Sequence, residues 1–168
     1  MKVELIATIT ANGQLLLTEN RAQVSAPPQV MGVFVQKARE AGNIVIGHAT
    51  YNMIMQAPEM KQAFAGIEKV VLTHKAAETP DYKAVSSPGE AVRYLKGKGY
   101  HSLILAGGKE TYNAFLNEDL VTDMYLSIVP VIVGNGGILA TEGSKTVEFR
   151  LSGQQTVAEG ILQLHFSR

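Results

Sequence analysis

The chain contains, at residues 103–112, the stretch Leu103-Ile104-Leu105-Ala106-Gly107-Gly108-Lys109-Glu110-Thr111-Tyr112. Its apolar first half predicts a buried strand, and its second half predicts a helix that begins directly after two glycines. Glycines let backbone N–H groups approach an anion closely, and the unpaired N–H groups of a helix start carry partial positive charge. The stretch therefore predicts a phosphate site, although the same residues would also make a tight strand-to-helix turn without a ligand.

Two further predicted strands also end in small or basic residues. The β-branched run at 43–46 is followed by Gly47, His48, Ala49 and Thr50, and the run at 69–73, which includes Leu72 and Thr73, is followed by His74 and Lys75. Each turn alone is also compatible with an ordinary surface loop. Ligands of open α/β sheets lie along the carboxyl ends of the strands, so three such ends together predict one extended anionic ligand. A dinucleotide fits this prediction better than a simple phosphate does.

Predicted strands and helices alternate through the first two thirds of the chain. The strands cover residues 3–10, 43–46, 69–73 and 102–106, and the helices cover residues 28–41, 51–64 with a break at Pro58, 88–96 and 109–116. Asn12-Gly13 predicts a tight turn into a short paired strand at 14–17. The helix at 28–41 is largely apolar, so we expect it to be buried, and Ser87 and Glu90 form a capping box for the helix at 88–96. This alternation predicts parallel pairing.

The last third of the chain is all strand. Residues 124–133 predict a long strand with Pro130 inside it, which indicates an edge or a bulge, and residues 134–137 (Gly-Asn-Gly-Gly) predict a turn. Residues 146–151 and 160–166 predict an antiparallel pair. The whole pattern predicts an α/β fold of three layers, in which helices flank a mixed, mostly parallel sheet with antiparallel C-terminal strands. We expect residues 1–168 to form a single domain.

Composition excludes several classes of protein. Lys plus Arg equals Asp plus Glu at 15 each, so no net charge attracts nucleic acid or an anionic membrane. The chain has no cysteine, which excludes disulfides and thiolate chemistry. Its first ten residues resemble neither a signal peptide nor a membrane span, so we expect a cytoplasmic protein that acts on a small molecule.

Common catalytic motifs are also missing from the sequence. A Rossmann G-x-G-x-x-G, a Walker loop, a G-x-S-x-G elbow and H-E-x-x-H spacing are all absent. The four histidines do not cluster with carboxylates, so we expect no metal site.

Five segments in order carry a resemblance to a known family. They are residues 9–13, 45–51, 70–73, 105–116 and 125–137. Together they resemble the dihydrofolate-reductase-like superfamily, and most of all the reductase domain of the bacterial deaminase/reductase of riboflavin biosynthesis. The resemblance covers nearly the whole chain.

The resemblance implies NADPH as the cofactor. The adenosine phosphates would lie near His48, Thr50, Thr73, His74 and Lys75, the pyrophosphate at Gly107 to Thr111, and the nicotinamide near Ala7 and the Asn12-Gly13 turn. The full set of implied cofactor-binding residues is Ala7, Asn12, Gly13, Gly47, His48, Ala49, Thr50, Leu72, Thr73, His74, Lys75, Ala106, Gly107, Gly108, Lys109, Glu110 and Thr111. A homodimer is also implied.

The sequence departs from the family at the substrate. Dihydrofolate reductases carry a carboxylate in the helix before the second strand, but residues 22–38 contain no Asp or Glu, which predicts weak or absent folate reduction. Riboflavin reductases carry charged residues where 51–57 are uncharged. We therefore expect an NADPH-dependent reductase of a small acceptor, with pterin- and pyrimidine-related compounds as candidates. The alternatives are 5-amino-6-(5-phosphoribosylamino)uracil reductase and a non-catalytic nucleotide-binding module. The proton donor is not identified, and Glu19 or a water is a candidate.

Overall fold

A computed structural model describes residues 1–16, 27–74 and 79–168 of the chain. The strands are β1 (Lys2–Thr10), β2 (Asn43–Gly47), β3 (Glu68–Leu72), β4 (Lys83–Val85), β5 (Ser102–Leu105), β6 (Asp123–Val129), β7 (Arg150–Ala158) and β8 (Ile161–Ser167). The helices are α1 (Pro28–Ala41), α2 (His48–Ile54), α3 (Pro58–Ala63), α4 (Pro88–Gly97) and α5 (Lys109–Asn117).

The strands form one eight-stranded sheet in the order β4-β3-β2-β5-β1-β6-β8-β7. All pairs from β4 to β6 are parallel, whereas β8 runs antiparallel to both β6 and β7. The predicted mixed, mostly parallel sheet with antiparallel C-terminal strands is therefore confirmed.

Helices cover both faces of this sheet. Consecutive residues of each strand point to opposite sides, so one strand can pack against both helix layers. On β1, Leu5 is buried against the layer of α4 and α5, where Leu95 and Phe115 are fully buried. Ile6 is buried against the layer of α1 to α3, which contributes Ala38 and Phe64. The three-layer arrangement is the predicted one.

Two helices differ from the prediction. The apolar run that begins at Pro28 is not a buried helix, because only Val30 and Ala38 are buried and the outer face of α1 meets solvent. The second helix begins at His48 rather than after Thr50, since Gly47 is its extended N-terminal cap. No helix in the part of the chain that the structure describes combines the length and the apolar composition needed to cross a membrane.

Three strand predictions also need correction. The long strand ends at Val129, because Pro130 has no N–H to continue the ladder. The strand predicted at 146–151 lies instead at Arg150–Ala158, where an exposed edge strand has no need of apolar alternation. The strand predicted at 14–17 after the Asn12-Gly13 turn is replaced by isolated β-bridges from Leu15 to Ile9 and to Gly137, and residue 17 lies outside the described residues.

Buried charges gather at the amino ends of β1 and β6, away from the carboxyl ends of the parallel strands. Glu4 and Asp123 are cross-strand neighbours, 7% and 6% exposed. Lys2 Nζ lies 3.2 Å from an Asp123 oxygen, and Lys37 Nζ lies 3.0 Å from a Glu4 oxygen. His165 Nε2 lies 2.8 Å from Asp123. Each buried carboxylate therefore has its own partners.

These partners set the charge state of Asp123. Burial alone would raise the pKa of this carboxyl group. Hydrogen bonds from His165, Thr122 and Lys2 outweigh burial and hold this pKa below the ordinary value of an aspartate. The charge cluster therefore stabilises the fold most when Asp123 is ionised.

Candidate functional site

The carboxyl ends of three adjacent strands line one cleft. Strands β3, β2 and β5 are neighbours and parallel, so the turns that follow them meet at the same edge of the sheet. The cleft has a volume of about 1110 Å³. It is lined by Gly47, His48, Ala49, Thr50, Leu72, Thr73, His74, Gly108, Lys109, Glu110 and Thr111, and also by Met53, Ala114 and residues 133–137.

The turns after β2 and β5 interlock through their glycines. The Gly47 N–H donates to the Gly107 carbonyl oxygen at 2.7 Å. A Cβ atom on Gly47 would lie 2.7 Å from Thr111 Oγ1, and a Cβ atom on Gly108 would lie 2.9 Å from Thr50 Oγ1. Each turn thus presents a glycine to the threonine of the other, and neither glycine leaves room for a side chain.

The start of α5 offers backbone donors to the cleft. Gly108 is its N-terminal cap, and no side chain among the described residues caps the helix. Gly107, with φ +95°, adopts a conformation that favours glycine, and the peptide bond to Gly108 is cis. The first N–H groups of a helix carry partial positive charge, so this end of α5 can bind an anion.

Two histidines line the cleft, on the turns that follow β2 and β3. His48 is the first residue of α2, and Asn52 Nδ2 lies 3.4 Å from its Nε2 atom. His74 follows β3 and is exposed. The predicted Lys75 lies outside the described residues. The N–H groups of these histidine rings can donate hydrogen bonds to a second anionic group.

A smaller pocket of about 100 Å³ continues from the cleft toward the middle of the sheet. Thr50, Met53 and Gly108 line both cavities, so the two are connected. The predicted residues Ala7, Ala106 and Gly107 line this pocket and not the larger cleft. Cleft and pocket together therefore form one continuous site with a polar arm and an apolar end.

Tyr112 also lines the small pocket, and the sequence did not identify it as a site residue. Its hydroxyl donates to the Ile6 carbonyl oxygen at 2.7 Å, and the residue is 6% exposed. The available signal was its place one turn into the helix that follows the glycines. The hydroxyl lies 3.2 Å from the position of a Cβ atom on Gly107, so Tyr112 closes this side of the pocket.

The Asn12-Gly13 turn does not line the cleft or the pocket. Asn12 Nδ2 donates to the Val133 carbonyl oxygen at 2.9 Å, and the Val133 N–H donates back to Asn12 Oδ1 at 3.4 Å. This pair holds residues 131–137, which we call the cleft loop. Gly13 lines a different cavity, of about 480 Å³, beside α5 and residues 139–149.

The described residues of the site do not form a cluster of metal ligands. Within residues 1–16, 27–74 and 79–168, no three His, Asp or Glu side chains gather in a way that could hold a metal ion. Lys109 and Glu110, the charged side chains at the start of α5, pair with each other at 3.1 Å in solvent. The binding capacity of the site therefore lies in backbone groups, hydroxyls and histidines.

Comparison with solved structures shows the same fold. The "Putative riboflavin biosynthesis protein" of Shewanella sp. PV-4 matches with a TM-score of 0.80 and 21% identity over 100% of this chain and 99% of that chain. The diaminohydroxyphosphoribosylaminopyrimidine deaminase/5-amino-6-(5-phosphoribosylamino)uracil reductase of Thermotoga maritima matches with a TM-score of 0.73 and 12% identity over 99% of this chain. This chain spans 56% of the length of that protein.

Sequence comparison adds one relative and a family. The uncharacterized protein YwjB of Bacillus subtilis (strain 168) is 31% identical over 74 residues, which are 44% of this chain and 42% of YwjB. The family model described as "RibD C-terminal domain" matches residues 3–163. The resemblance to the riboflavin branch of the dihydrofolate-reductase-like superfamily is thereby confirmed, and the chain belongs to the RibD C-terminal domain family.

Proposed function

We propose that this chain is an NADPH-dependent reductase that transfers hydride to a small acceptor. Its family makes it a reductase-like domain of the riboflavin-pathway type. The observation that carries the proposal is the continuous site, in which a long cleft with anion-binding ends opens into a small apolar pocket. NADPH has a similar division, because its 2′-phosphate and its central pyrophosphate are charged whereas its reactive nicotinamide ring is flat and uncharged.

The described residues fit the cofactor. Gly47 and Gly108 have no room for a Cβ atom because Thr111 and Thr50 pack against them, and this close packing shapes the two turns that would surround a bound pyrophosphate. The N–H groups at the start of α5 would hold that pyrophosphate, while His48 and His74 would lie near the 2′-phosphate. Ala7 and Ala106, with small side chains at the pocket wall, would leave space for the nicotinamide.

The protein contributes position and exclusion of water to the reaction. Bound NADPH supplies the hydride, and the chain's own residues orient the acceptor against the pocket wall. Val30 and Phe34 of α1 line the pocket, and their apolar side chains would help to exclude water from it. Because the Tyr112 hydroxyl already donates a hydrogen bond to the Ile6 carbonyl oxygen, a water is our candidate for the final protonation. Glu19, the other candidate, lies outside the described residues.

Two other functions remain as alternatives. Reduction of 5-amino-6-(5-phosphoribosylamino)uracil is favoured by the name of the Thermotoga relative, and oxidation of NADPH in the presence of that compound would support it. A nucleotide-binding module without catalysis would bind NADPH tightly and turn over no acceptor. The apolar pocket beside the cleft favours a reductase over this second alternative, because nucleotide binding alone does not need it.

The direct test of the cofactor site is calorimetric titration of NADPH into the protein and its Gly108→Val variant. We expect the wild type to bind and the variant to lose binding while it keeps its far-UV circular dichroism. Gly97→Ala is the matched control, because a Cβ atom there meets no atom within 4 Å. If Gly108→Val binds NADPH as well as the wild type does, the phosphates lie elsewhere.

Three broader predictions belong to the same proposal. Residues 1–168 act as a single domain, the protein works in the cytoplasm, and it forms a homodimer. Unfolding monitored with two spectroscopic probes tests the single domain, cell fractionation tests the cytoplasmic location, and sedimentation velocity tests the homodimer. Two separate unfolding transitions, an extracytoplasmic fraction or a monomer at micromolar concentration would each contradict the corresponding part.

A further inference from the structure

The antiparallel end of the sheet has a polar face on the side of α1. Tyr125 of β6 lies on this face, since Lys37 Nζ of α1 lies 3.8 Å from the centre of its ring. Residues two positions apart on a strand share a face, so Asp123 and Ser127 lie on it as well. Gln163 of β8 donates to Ser127 Oγ at 3.0 Å. Asp123, Ser127 and Gln163 are 6%, 1% and 2% exposed, so this polar face is covered.

The opposite face of β6, β8 and β7 is apolar. It lies on the side of α4 and α5, because Leu126 belongs to the same core cluster as Phe115. Seven of its nine side chains are apolar and none is charged. The strand register aligns these nine side chains in three rows, which we call the open face: Met124, Phe166 and Leu151; Leu126, Leu164 and Gln154; Ile128, Leu162 and Thr156.

The open face is exposed although it is apolar. Of its nine residues only Leu126 is buried, whereas Leu162 is 38% exposed and Leu151 is 58% exposed. Antiparallel sheets commonly pack their apolar face on the core and leave the polar face in water. Here the covered face is the polar one. A contiguous exposed apolar surface of this kind indicates contact with another molecule.

A recess adjoins the open face. It is the cavity of about 480 Å³ beside α5, which Met124 and Leu126 line together with residues from 139–149. The same surface therefore carries exposed apolar side chains, Leu151 and Leu162, and an apolar recess. Two copies related by a two-fold axis present identical patches to each other, so every such contact is made twice. Projection and recess of one chemistry suit that arrangement.

The size and the charge of this surface also suit a second copy. The open face has nine residues, and the adjoining segment 138–149, which includes the exposed Ile138, has twelve. Together they reach the lower end of the roughly 20–30 residues that each partner contributes to a stable interface. The chain has 15 basic and 15 acidic residues, so net charge does not keep two copies apart.

We propose that two copies of this chain pack their open faces against each other, sheet on sheet, about a two-fold axis. The inference deepens the homodimer proposed above, because it names the surface that forms it. Leu151 and Leu162 of each copy become buried against the open face and the recess of the other. The covering that the apolar side of the sheet needs is thereby supplied by the second copy.

The test is sedimentation velocity over a range of protein concentrations with variants of the open face. Leu162→Lys would bury a charge in the apolar interface. Each substitution occurs twice in a symmetric dimer, so a tenfold loss at each site should raise the Kd of the dimer about a hundredfold. Ile132→Lys is the matched control, because Ile132 is 72% exposed and lies outside the open face, and its Kd should equal that of the wild type.

A second variant separates loss of the dimer from loss of the fold. Thr156→Lys changes an exposed polar residue of the open face, so it removes no apolar side chain from the single chain. It should keep the far-UV circular dichroism of the wild type and weaken the dimer as Leu162→Lys does. Pairing of two β7 edges would instead survive Leu162→Lys, because β8 lies one strand in from the edge.

The possible failures can be told apart. A wild type that is monomeric at micromolar concentration would overturn this inference and the homodimer together. A dimer that both Leu162→Lys and Thr156→Lys leave intact, or that Ile132→Lys weakens equally, would overturn the open face and keep the homodimer. Sedimentation does not depend on NADPH, so failure of the cofactor proposal would appear only in the NADPH titration.

Discussion

Substituting Gly47 by alanine tests the interlocked turns at the centre of the site. The backbone of Gly47 has φ −72° and ψ 147°, which any residue can adopt, so conformation does not oppose the change. Space does, because the new Cβ atom would lie 2.7 Å from Thr111 Oγ1. The variant therefore isolates a single steric contact between the turn after β2 and the start of α5.

The neighbouring threonine has little freedom to move away. Thr111 is 2% exposed and sits in the first turn of α5, and its branched side chain carries a methyl group that would approach the same space if the side chain rotated. Inserting an extra methyl group into a packed site costs about 1–3 kcal/mol. We expect Gly47→Ala to lower the free energy of unfolding by that amount.

A double-mutant cycle gives the most specific form of this prediction. Thr111→Ala removes the oxygen that the new methyl group would meet, so the double variant should be more stable than the sum of the single changes by about 1–3 kcal/mol. Thr111→Val is the matched control, because it keeps an atom in the place of Oγ1 and should give no rescue. Urea unfolding with linear extrapolation measures all four free energies.

This reasoning would be refuted if the stability changes of Gly47→Ala and Thr111→Ala simply added in the double variant. If Gly47→Ala is as stable as the wild type, or if Thr111→Ala and Thr111→Val rescue it equally, the two turns do not interlock as the distances indicate. Gly97→Ala should change stability by less than about 1 kcal/mol, because its Cβ atom would meet open space.

Three further predictions concern charge and hydrogen bonding. Burial would raise the pKa of Asp123, but hydrogen bonds from His165 and its neighbours lower it, so the stabilisation from this carboxylate is present above about pH 4 and is lost as the pH falls through the lowered pKa. Asp123→Asn should therefore lower the free energy of unfolding by about 1–3 kcal/mol at neutral pH and reduce its dependence on acid pH, as measured by urea unfolding. His48→Ala and His74→Ala should each reduce the ratio of NADPH to NADH affinity about tenfold if they touch the 2′-phosphate, and an unchanged ratio would exclude that contact. Asn12→Ala should increase hydrogen exchange in the cleft loop without unfolding the protein, and unchanged exchange would contradict the role of its two hydrogen bonds.

The sequence predicted the parallel part of the sheet because its signals there are local. Buried parallel strands are continuous apolar runs, and the turns that follow β2 and β5 are marked by Gly47, Gly107 and Gly108. The predicted capping box was also partly found, since the Glu90 N–H donates to Ser87 Oγ while the Glu90 carboxylate accepts from Ser86 instead. Local chemistry of this kind can be identified without tertiary contacts.

The edges of the sheet were harder to predict for a physical reason. Strand β4 has three residues, too few to show a period, and no pattern in the sequence predicts it. Strand β7 is exposed along most of its length, so no apolar alternation marks it. Both strands exist because a neighbouring strand offers backbone hydrogen bonds, and this tertiary signal leaves little trace in composition.

The candidate site shows the same limit. The turns that line the cleft were predicted from their own residues, but the small pocket combines β1 with α1 and α2, which lie far apart in the sequence. The reciprocal contacts of Gly47 with Thr111 and of Gly108 with Thr50 join segments about 60 residues apart. Whether these residues bind NADPH stays a prediction.

A crystal structure of the protein with NADPH tests the central claim most directly. We predict that the pyrophosphate oxygens lie within hydrogen-bond distance of the backbone N–H groups at the start of α5, with the 2′-phosphate near His48 and the nicotinamide beside Ala7. Nucleotide bound instead in the cavity between α5 and residues 139–149, or a cleft that stays empty at saturating NADPH, would contradict the account.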